Sequence, residues 1–377
     1  NIEVLKTEKK KKILWASDSP LICTGYATVS KDVCNYLAKT GKYEVHYLGM
    51  QYLGQDLMPG TTFEDNTRLN FTVHGIGREP YGNDIIEPLI KALKPDLFVT
   101  LLDTFMLCPP SLPYGNSYLN KDFSPAKSIF FFPSDGGKEE KGEGRLPLYC
   151  DDILRKYGHS VAMSRFAQKQ VMNVHNIKSF YIPHGVWTNI YFPLSENLRT
   201  VIRSNVSGLV VTKDNKLANI TYNLANKFVI GSVFRNQGRK MADRQLEAFA
   251  KFAKDKDDVI FYLHCDPTDP AQTFNMLEFI NDKNINNKVL FSGMRYYKGF
   301  PVQKMREVYN LMDCFFLSTS GEGFGVPTIE AMSCGVPVVI TDYTTTKELI
   351  MEDGQSGEPV AIAEELVGTY NVPRGVI

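Results

Sequence analysis

The N-terminal half of the chain alternates between short apolar runs and segments with a helical period. Continuous apolar runs cover residues 12–17, 96–102 and 127–132, and such runs are typical of strands that a parallel sheet buries on both faces. Apolar residues in 28–39 recur three and four positions apart, which predicts an amphipathic helix. Strand and helix therefore alternate, and this order predicts β-α-β units with a parallel sheet.

The same alternation returns in the C-terminal half. It predicts strands at 227–234, 259–264, 288–291, 313–317 and 336–340, and helices at 239–254, 302–312 and 328–333. Between 187 and about 226 the pattern weakens, and we interpret that stretch as a linker or insertion with one helix at 196–204. The predicted fold class is α/β, with two doubly wound, Rossmann-like domains at 1–187 and 188–377 that face each other across a cleft.

Composition and charge remove several classes of protein. The 42 basic residues balance 42 acidic ones, which argues against a dedicated nucleic-acid or membrane-surface protein. With 43% hydrophobic and 12% aromatic residues the chain can build large cores, so disordered and fibrous classes are excluded. Seven cysteines without metal-ligand spacing indicate reduced thiols. No signal peptide or membrane-spanning run is visible, so we expect a cytoplasmic protein without an integral membrane segment.

The most informative segment is residues 318–332, Ser-Thr-Ser-Gly-Glu-Gly-Phe-Gly-Val-Pro-Thr-Ile-Glu-Ala-Met, which follows a predicted strand and opens a helix. Its glycines leave backbone N–H groups at a helix N-terminus, an arrangement suited to a phosphate or a sugar hydroxyl. Glu322 and Glu330 are separated by seven residues, so one carboxylate can face a sugar while the other accepts hydrogen bonds from a vicinal diol such as ribose. The alternative is a turn that only caps the helix, with both glutamates in water.

A second group of residues supplies positive charge. Arg235, Arg239 and Lys240 lie between a predicted strand end and a helix start, where a diphosphate needs charge-assisted partners. The alternative is a solvated basic helix cap. Cations at a helix N-terminus are unfavourable unless an anion joins them, which favours the anion site.

Weaker candidates follow other predicted strands. Gly25 and Tyr26 come after the first strand, where a glycine lets the backbone approach a ligand closely. Asp103 and Asp135 end strands and are placed to meet a hydroxyl, although Asp135-Gly-Gly is equally a turn. His184, in Pro-His-Gly, is better interpreted as a histidine of the loop between domains than as a base.

Taken together, these motifs resemble those of retaining glycosyltransferases with the GT-B fold, specifically glycosyltransferase family 4, which includes glycogen synthase-like and mannosyltransferase-like enzymes. Glu322 to Glu330 matches the family's E-x7-E signature, and Arg235 with Lys240 matches its Arg-x4-Lys pair. The resemblance extends from Lys12 to about Gly357. The short loop Thr-Gly-Tyr-Ala at 24–27 is similar to that of a branch with virus-encoded members.

The resemblance implies an enzyme of the EC 2.4 class that moves a hexose from a GDP- or UDP-linked donor to an acceptor hydroxyl with retention of configuration. It implies no cofactor and no metal, because fixed cations and helix dipoles stabilise the departing diphosphate. Same-face attack is expected, with a double displacement through Glu322 as the less favoured variant. The implied catalytic residues are Glu322, Arg235 and Lys240. The implied donor-binding residues are Gly25, Tyr26, Arg239, Gly323, Phe324, Gly325 and Glu330, and the sugar or acceptor contacts are Asp135, His184 and Asp103.

The sequence also departs from the family pattern. Ser134 or Asp135 stands where many members carry a histidine, and Trp187 replaces an aspartate in the joining loop. The helices with which the family ends are not found before Ile377, so the predicted donor domain at 188–377 lacks them.

Two further functional classes remain open at this point. One is a GT-B-fold epimerase, for which Asp135 and His184 would be the acid and base, or a phosphorylase, which would need a pyridoxal lysine. The other is a sugar-nucleotide-binding module without catalysis. For the transferase the acceptor is a glycan, a lipid or a protein, and the balanced charge disfavours a modified DNA acceptor.

Overall fold

The computed structural model describes residues 9–63, 67–108, 117–138, 146, 148–351, 356–367 and 373–376. The chain forms two compact units, which are described separately below. The first unit comprises Asn1–Pro133, Leu146–Met163 and Val171–Ile182, and the second comprises Ser134–Arg145, Ser164–Gln170 and Pro183–Ile377. Two short stretches of the N-terminal half thus group with the second unit, whose main part begins a few residues before the predicted boundary at 187.

The first unit contains a parallel sheet flanked by helices. Its strands are β1 (Lys11–Asp18), β2 (Tyr43–Met50), β3 (Thr72–Gly75), β4 (Leu97–Leu101), β5 (Lys127–Phe132), β6 (His159–Ala162) and β7 (Phe180–Tyr181), in the order β3-β2-β1-β4-β5-β6-β7. Its helices are α1 (Gly25–Lys39), α2 (Ile86–Leu93), α3 (Thr104–Leu107), α4 (Leu148–Lys156) and the C-terminal part of α5 (Arg165–His175), whose residues 165–170 group with the second unit. The predicted apolar runs are the central strands of this sheet, because β1 pairs in parallel with both β2 and β4.

The second unit is built around another, mostly parallel sheet. Its strands are β8 (Val206–Val211), β9 (Leu217–Tyr222), β10 (Phe228–Val233), β11 (Val259–His264), β12 (Val289–Phe291), β13 (Cys314–Leu317), β14 (Val338–Thr341) and β15 (Gly357–Val360), with β16 (Glu364–Val367) and β17 (Pro373–Val376) as a separate antiparallel pair. Its helices are α6 (Glu196–Ser204), α7 (Ala242–Phe252), α8 (Met276–Asp282), α9 (Val302–Asn310), α10 (Val326–Ser333) and α11 (Thr345–Met351). The sheet order is β15-β14-β13-β10-β11-β12-β8-β9.

The interpretation of 187–226 as a linker or insertion is wrong in part. The helix predicted at 196–204 is α6, but β8 and β9 form an antiparallel hairpin that joins the sheet beside β12. The strand β9 is half exposed, so it lacks the continuous apolar run of a buried strand. A turn signal was present in Lys-Asp-Asn-Lys, where Asn215 adopts φ 59°, a backbone conformation that asparagine tolerates.

The core of the second unit lies between its sheet and the helices that cover it. Phe249 of α7 stacks on Phe261 of β11 with ring centroids 4.9 Å apart, and both side chains are buried. Tyr309 of α9 lies near Phe315 of β13 in the same core. The helices thus pack on β11 and β13, which flank β10 in the sheet, and the candidate site extends from these three strands.

Candidate functional site

The candidate site lies at one edge of the second sheet. The strand β10 pairs in parallel with β11 on one side and with β13 on the other, so their carboxyl ends emerge at the same edge. The segments that follow β10 and β13, at 234–240 and 318–325, carry predicted residues, and the segment that follows β11, at 265–272, reaches the same edge. Doubly wound sheets bind ligands at this edge because backbone and side-chain polar groups converge there.

Two cations and one carboxylate meet in the interior of this edge. Lys240 Nζ donates to Glu322 Oε1, and Arg239 Nη1 lies 3.2 Å from the same oxygen. Lys240 and Glu322 are only 7% and 5% exposed, and the three charges sum to one positive charge. The Arg239 side chain is 32% exposed, so an anion such as a phosphate can reach the excess positive charge and neutralise it.

The protonation states of this cluster follow from burial and from its neighbours. Burial and, to a smaller extent, Arg239 lower the pKa of Lys240 from 10.5 to about 8, although Glu322 and then Asp135 act in the opposite direction. Burial alone would raise the pKa of Glu322, but Lys240 and Arg239 hold it well below its ordinary value of 4.5. Glu322 is therefore a carboxylate at neutral pH, and its charge is already shared by two cations.

The glycine-rich loop that carries Glu322 is held from two sides. On one side the backbone carbonyl of Arg239 accepts hydrogen bonds from Ser320 N at 2.8 Å and Thr319 Oγ1 at 3.2 Å. On the other side Thr344 Oγ1 accepts from Glu322 N and donates to Glu322 O, while Thr345 Oγ1 donates to Gly323 O at 2.9 Å. The loop is consequently fixed before any ligand binds.

The helix α10 begins immediately after this loop. Gly325 is its N-cap residue and adopts φ 95°, a conformation that side-chain-bearing residues rarely reach. Glu330 lies on this helix, is 9% exposed, and its Oε2 accepts a hydrogen bond of 2.6 Å from the hydroxyl of Tyr309. Burial and the nearby Glu330 raise the pKa of Tyr309 well above 10, so its hydroxyl remains a donor.

The structure gives Arg235 a partner that the sequence did not suggest. Its Nε and Nη2 lie 2.9 and 3.4 Å from the two carboxylate oxygens of Asp269, in the turn after β11. The guanidinium carbon lies 5.8 Å from the ring centre of Tyr296. The Asp269 side chain is 1% exposed and that of Arg235 is 45% exposed, so one side of the guanidinium faces the protein and the other is accessible.

Two side-chain nitrogens at this edge are buried without a hydrogen-bond partner in the described part of the chain. They are Nδ2 of Asn236, which follows β10, and Nδ1 of His264, at the end of β11. Burial lowers the pKa of His264 to about 4, so the ring is neutral near pH 7.

Other predicted residues of the second unit lie around this site. Phe324 is buried and its ring packs edge-on against the ring of His184, with centroids 4.8 Å apart. Burial lowers the pKa of His184 to about 4, so it is a neutral packing partner at neutral pH. Asp135 is half-buried in the loop after β5 and contributes to the electrostatics of Lys240.

The predicted residues of the first unit form their own contact. Gly25 is the first residue of α1, which Thr24 caps by accepting a hydrogen bond from Ala27 N. The hydroxyl of Tyr26 donates to Asp103 Oδ1 at 2.8 Å. Tyr26 and Asp103 are thus brought together at the carboxyl edge of β1 and β4.

Sequence reasoning missed the residues that support the predicted ones: Asp269, Tyr309, Thr344 and Thr345. An available signal for Asp269 was its place just after the predicted strand at 259–264, in a Pro-rich turn. The other three lie in segments with no distinctive motif. Their partners are brought to them by the sheet order, which the sequence pattern does not specify.

Metal-ligand clusters and membrane-spanning helices are both absent from the described residues. No group of three or more histidine, cysteine, aspartate and glutamate side chains there is arranged to hold a metal ion. Among the helices described, none combines the length and apolar character needed to cross a bilayer.

Part of the chain is similar in sequence to known proteins. Residues 213–364 match the family model described as Glycosyl transferases group 1. Mannosylfructose-phosphate synthase of Agrobacterium fabrum is 29% identical over 167 residues, which is 42% of this chain and 32% of that protein. O-antigen chain mannosyltransferase RfbU of Salmonella typhimurium is 23% identical over 209 residues, or 51% of this chain and 56% of that protein. The chain thus spans about a third and about half of the length of these two relatives.

A solved structure extends the comparison to the fold. Sucrose-phosphate synthase from Thermosynechococcus elongatus has a TM-score of 0.67 at 13% identity, with 94% of this chain and 86% of that chain covered. Its likeness confirms the predicted α/β fold class with two Rossmann-like sheets. The chain therefore has the GT-B fold, and its residues 213–364 match the family of group 1 glycosyl transferases.

Proposed function

We propose that the protein is a retaining glycosyltransferase of family 4 that moves a hexose from a nucleotide-diphosphate sugar to an acceptor hydroxyl. The observation that carries the proposal is the contact of Lys240 and Arg239 with the buried carboxylate of Glu322. This cluster lies in the segment that matches the group 1 glycosyl transferases. An excess positive charge in a preformed loop suits a donor diphosphate, which becomes more negative as the sugar leaves.

The roles of the residues follow from their contacts. Arg239 and Lys240 would bind the diphosphate and stabilise its departure, and Arg235 would add its accessible side. Glu330, held by Tyr309, would accept hydrogen bonds from the ribose hydroxyls. Since fixed cations can stabilise the leaving group, we propose transfer that does not depend on a metal ion.

The state of Glu322 favours same-face attack over a double displacement. A nucleophilic carboxylate must offer an available lone pair, but Glu322 is paired with two cations and its pKa is held low. Such a carboxylate is a weak nucleophile. We therefore propose that the acceptor hydroxyl attacks from the face on which the diphosphate leaves, and that Glu322 positions the cations and the sugar.

The names of the relatives suggest which sugar to test first. Mannosylfructose-phosphate synthase and the O-antigen chain mannosyltransferase are both named for a mannosyl group. We propose mannose as the transferred hexose. The acceptor would be a hydroxyl of a glycan, lipid or protein, in the cytoplasm.

The experiment that tests this function has two stages. Thermal unfolding is first measured with GDP, UDP and ADP, with and without EDTA. A nucleotide at about 100 times its Kd should stabilise the protein by roughly 2.7 kcal/mol. The matching sugar nucleotide, GDP-mannose first, is then incubated with glycan acceptors, and the anomeric configuration of the product is determined by NMR.

The outcomes separate the parts of the proposal. A shift with one nucleotide, unaffected by EDTA, followed by a product of retained configuration would support it. An inverted product would overturn the same-face mechanism. A wild-type protein that binds none of the three nucleotides would overturn the donor site itself.

A further inference from the structure

The turn after β11 contains two buried aspartates, and each makes several hydrogen bonds. Asp266 Oδ1 accepts from Thr268 N and Oγ1 at 2.9 and 2.7 Å, and its Oδ2 accepts from Tyr296 N at 3.2 Å. Asp269 Oδ1 accepts from Ala271 N at 2.8 Å, and the backbone carbonyl of Asp269 accepts from Gln272 N. Both aspartates are 2% exposed or less. The turn therefore holds its carboxylates in fixed positions.

The fixed carboxylate of Asp269 binds one edge of the Arg235 guanidinium. The Nε–Nη2 edge of the guanidinium pairs with the two oxygens of Asp269. A guanidinium has five N–H groups, so Nη1 and the second hydrogen of Nη2 point away from Asp269. The Arg235 side chain is 45% exposed, so this second edge is accessible to an anion.

We infer that Asp269 is a positioning residue that fixes Arg235 with its second guanidinium edge directed to the diphosphate of the donor. The inference rests on the proposed function. An arginine without a fixed partner has several rotamers, and ordering it on binding costs affinity. Asp269 removes that cost because the side chain is already ordered in the free protein.

The pair of Arg235 and Asp269 also affects the stability of the protein, and this limits the choice of variants. Asp269 is completely buried, so removing Arg235 alone leaves its charge without that partner, which is strongly destabilising. Arg235→Ala is therefore a poor single variant. The double variant Arg235→Ala/Asp269→Asn removes both charges, and we expect it to be more stable than Arg235→Ala alone.

The experiment measures the affinity of the full chain for GDP, UDP or ADP, whichever binds best, and for the corresponding nucleoside. Asp269→Asn keeps the shape of the side chain and its bond from Ala271, but loses the charge that orders Arg235. We expect the Kd of the diphosphate to rise about tenfold, equivalent to ~1.4 kcal/mol, and the Kd of the nucleoside to stay unchanged. The same substitution should have no further effect in the Arg235→Ala background, because there is no guanidinium left to position.

Two further variants separate positioning from structural support. Asp266→Asn alters the same turn but leaves the pair of Arg235 and Asp269 in place, so any change it causes should be equal for nucleoside and diphosphate. Arg235→Lys keeps a charge opposite Asp269, which protects folding, but an ammonium has no second edge to present. We expect its diphosphate affinity to fall about as far as that of Asp269→Asn, that is, about tenfold.

Four results would overturn the inference. An unchanged or tighter diphosphate Kd in Asp269→Asn would show that the carboxylate is only structural or competes with the ligand. Wild-type affinity in Arg235→Lys would show that the second guanidinium edge does not contact the diphosphate. This test does not depend on whether Asp269→Asn folds. Equal effects of Asp269→Asn with and without Arg235 would show that it acts elsewhere. If the wild-type protein binds no nucleotide, the inference and the proposed function are overturned together, whereas the first three results leave the function intact.

Discussion

Lys240 and Glu322 form a buried ion pair in which the carboxylate also faces Arg239. The single negative charge of Glu322 therefore faces the positive charges of both Lys240 and Arg239, and it neutralises only one of them. In an ion pair that serves stability alone, the charges would be expected to cancel. The excess charge instead makes the cluster sensitive to pH and to bound anions, and the first two predictions below use that sensitivity.

The affinity for a nucleoside diphosphate should decrease at alkaline pH. Burial and Arg239 lower the pKa of Lys240 to about 8 in the free protein, and a bound diphosphate would raise it again. Only the protonated amine attracts the diphosphate, so affinity should be full below about pH 8 and fall by up to tenfold per pH unit above it. Titration calorimetry from about pH 7 to about pH 9.5 measures this change.

Lys240→Arg is the matched control for this pH dependence. A guanidinium stays protonated over the whole range, so its affinity should be nearly independent of pH over the same interval. If the arginine variant shows the same alkaline loss as the wild-type protein, another group is responsible for it.

Glu322→Gln should destabilise the protein by about 3 kcal/mol at neutral pH, because it leaves the buried Lys240 and the partly exposed Arg239 without their anion. Added GDP or inorganic phosphate should restore part of this loss. The folded-state pKa of Glu322 is depressed, so its contribution is present above the unfolded value of 4.5 and disappears as pH falls through the folded value. Urea unfolding of both proteins should therefore differ at about pH 7 and converge well below pH 4.5.

Tyr309→Phe should weaken nucleotide binding by several-fold without removing a ligand contact. The substitution deletes the hydrogen bond to Glu330 and frees a buried carboxylate to turn away, at a cost of about 1.5–3 kcal/mol in stability. Tyr118→Phe is the comparison, since Tyr118 is a fully buried tyrosine of the first unit whose hydroxyl donates to Tyr81 O. Equal losses of nucleotide affinity in both variants would argue against the assigned role of Glu330.

Gly325→Ala should destabilise the second unit by about 1–2 kcal/mol, because its φ of 95° is strained for any residue with a side chain. The added Cβ would lie 3.4 Å from Leu349 Cδ1, an ordinary contact, so the cost is conformational. Gly185→Ala is the control, since Gly185 has no positive φ and its Cβ would meet no atom within 4 Å. Thermal unfolding of both variants shows whether the glycine-rich loop depends on this backbone conformation.

Local sequence patterns were sufficient to predict most strands and helices of both units. The strand Lys127–Phe132 and the helix Glu196–Ser204 have the predicted bounds, because an apolar run and a clear helical period need no tertiary information. The hairpin of β8 and β9 was not predicted, since its strands are short, partly polar and stabilised by pairing with β12. Its existence depends on a neighbour that is distant in the sequence.

For the candidate site, the sequence was sufficient to name the charged residues but not to say how they pair. Glu322, Glu330 and the cations Arg239 and Lys240 could be named because motif spacing and charge mark them. Which cation pairs with which carboxylate could not be read from spacing, since that depends on the order of β11, β10 and β13. Arg235 was expected to act with Lys240, but the turn after β11 gives it Asp269 as a partner.

The order of the strands in the second sheet also determines when the site can form. Arg235 and Asp269 are 34 residues apart, but Lys240 and Glu322 are separated by 82 residues. During synthesis the N-terminal part of the chain leaves the ribosome first, so Lys240 emerges well before Glu322. Until β13 pairs with β10, burying Lys240 would leave a charge without compensation. Because closing a loop of 82 residues costs entropy, we expect the ion pair of Lys240 and Glu322 to form late in folding.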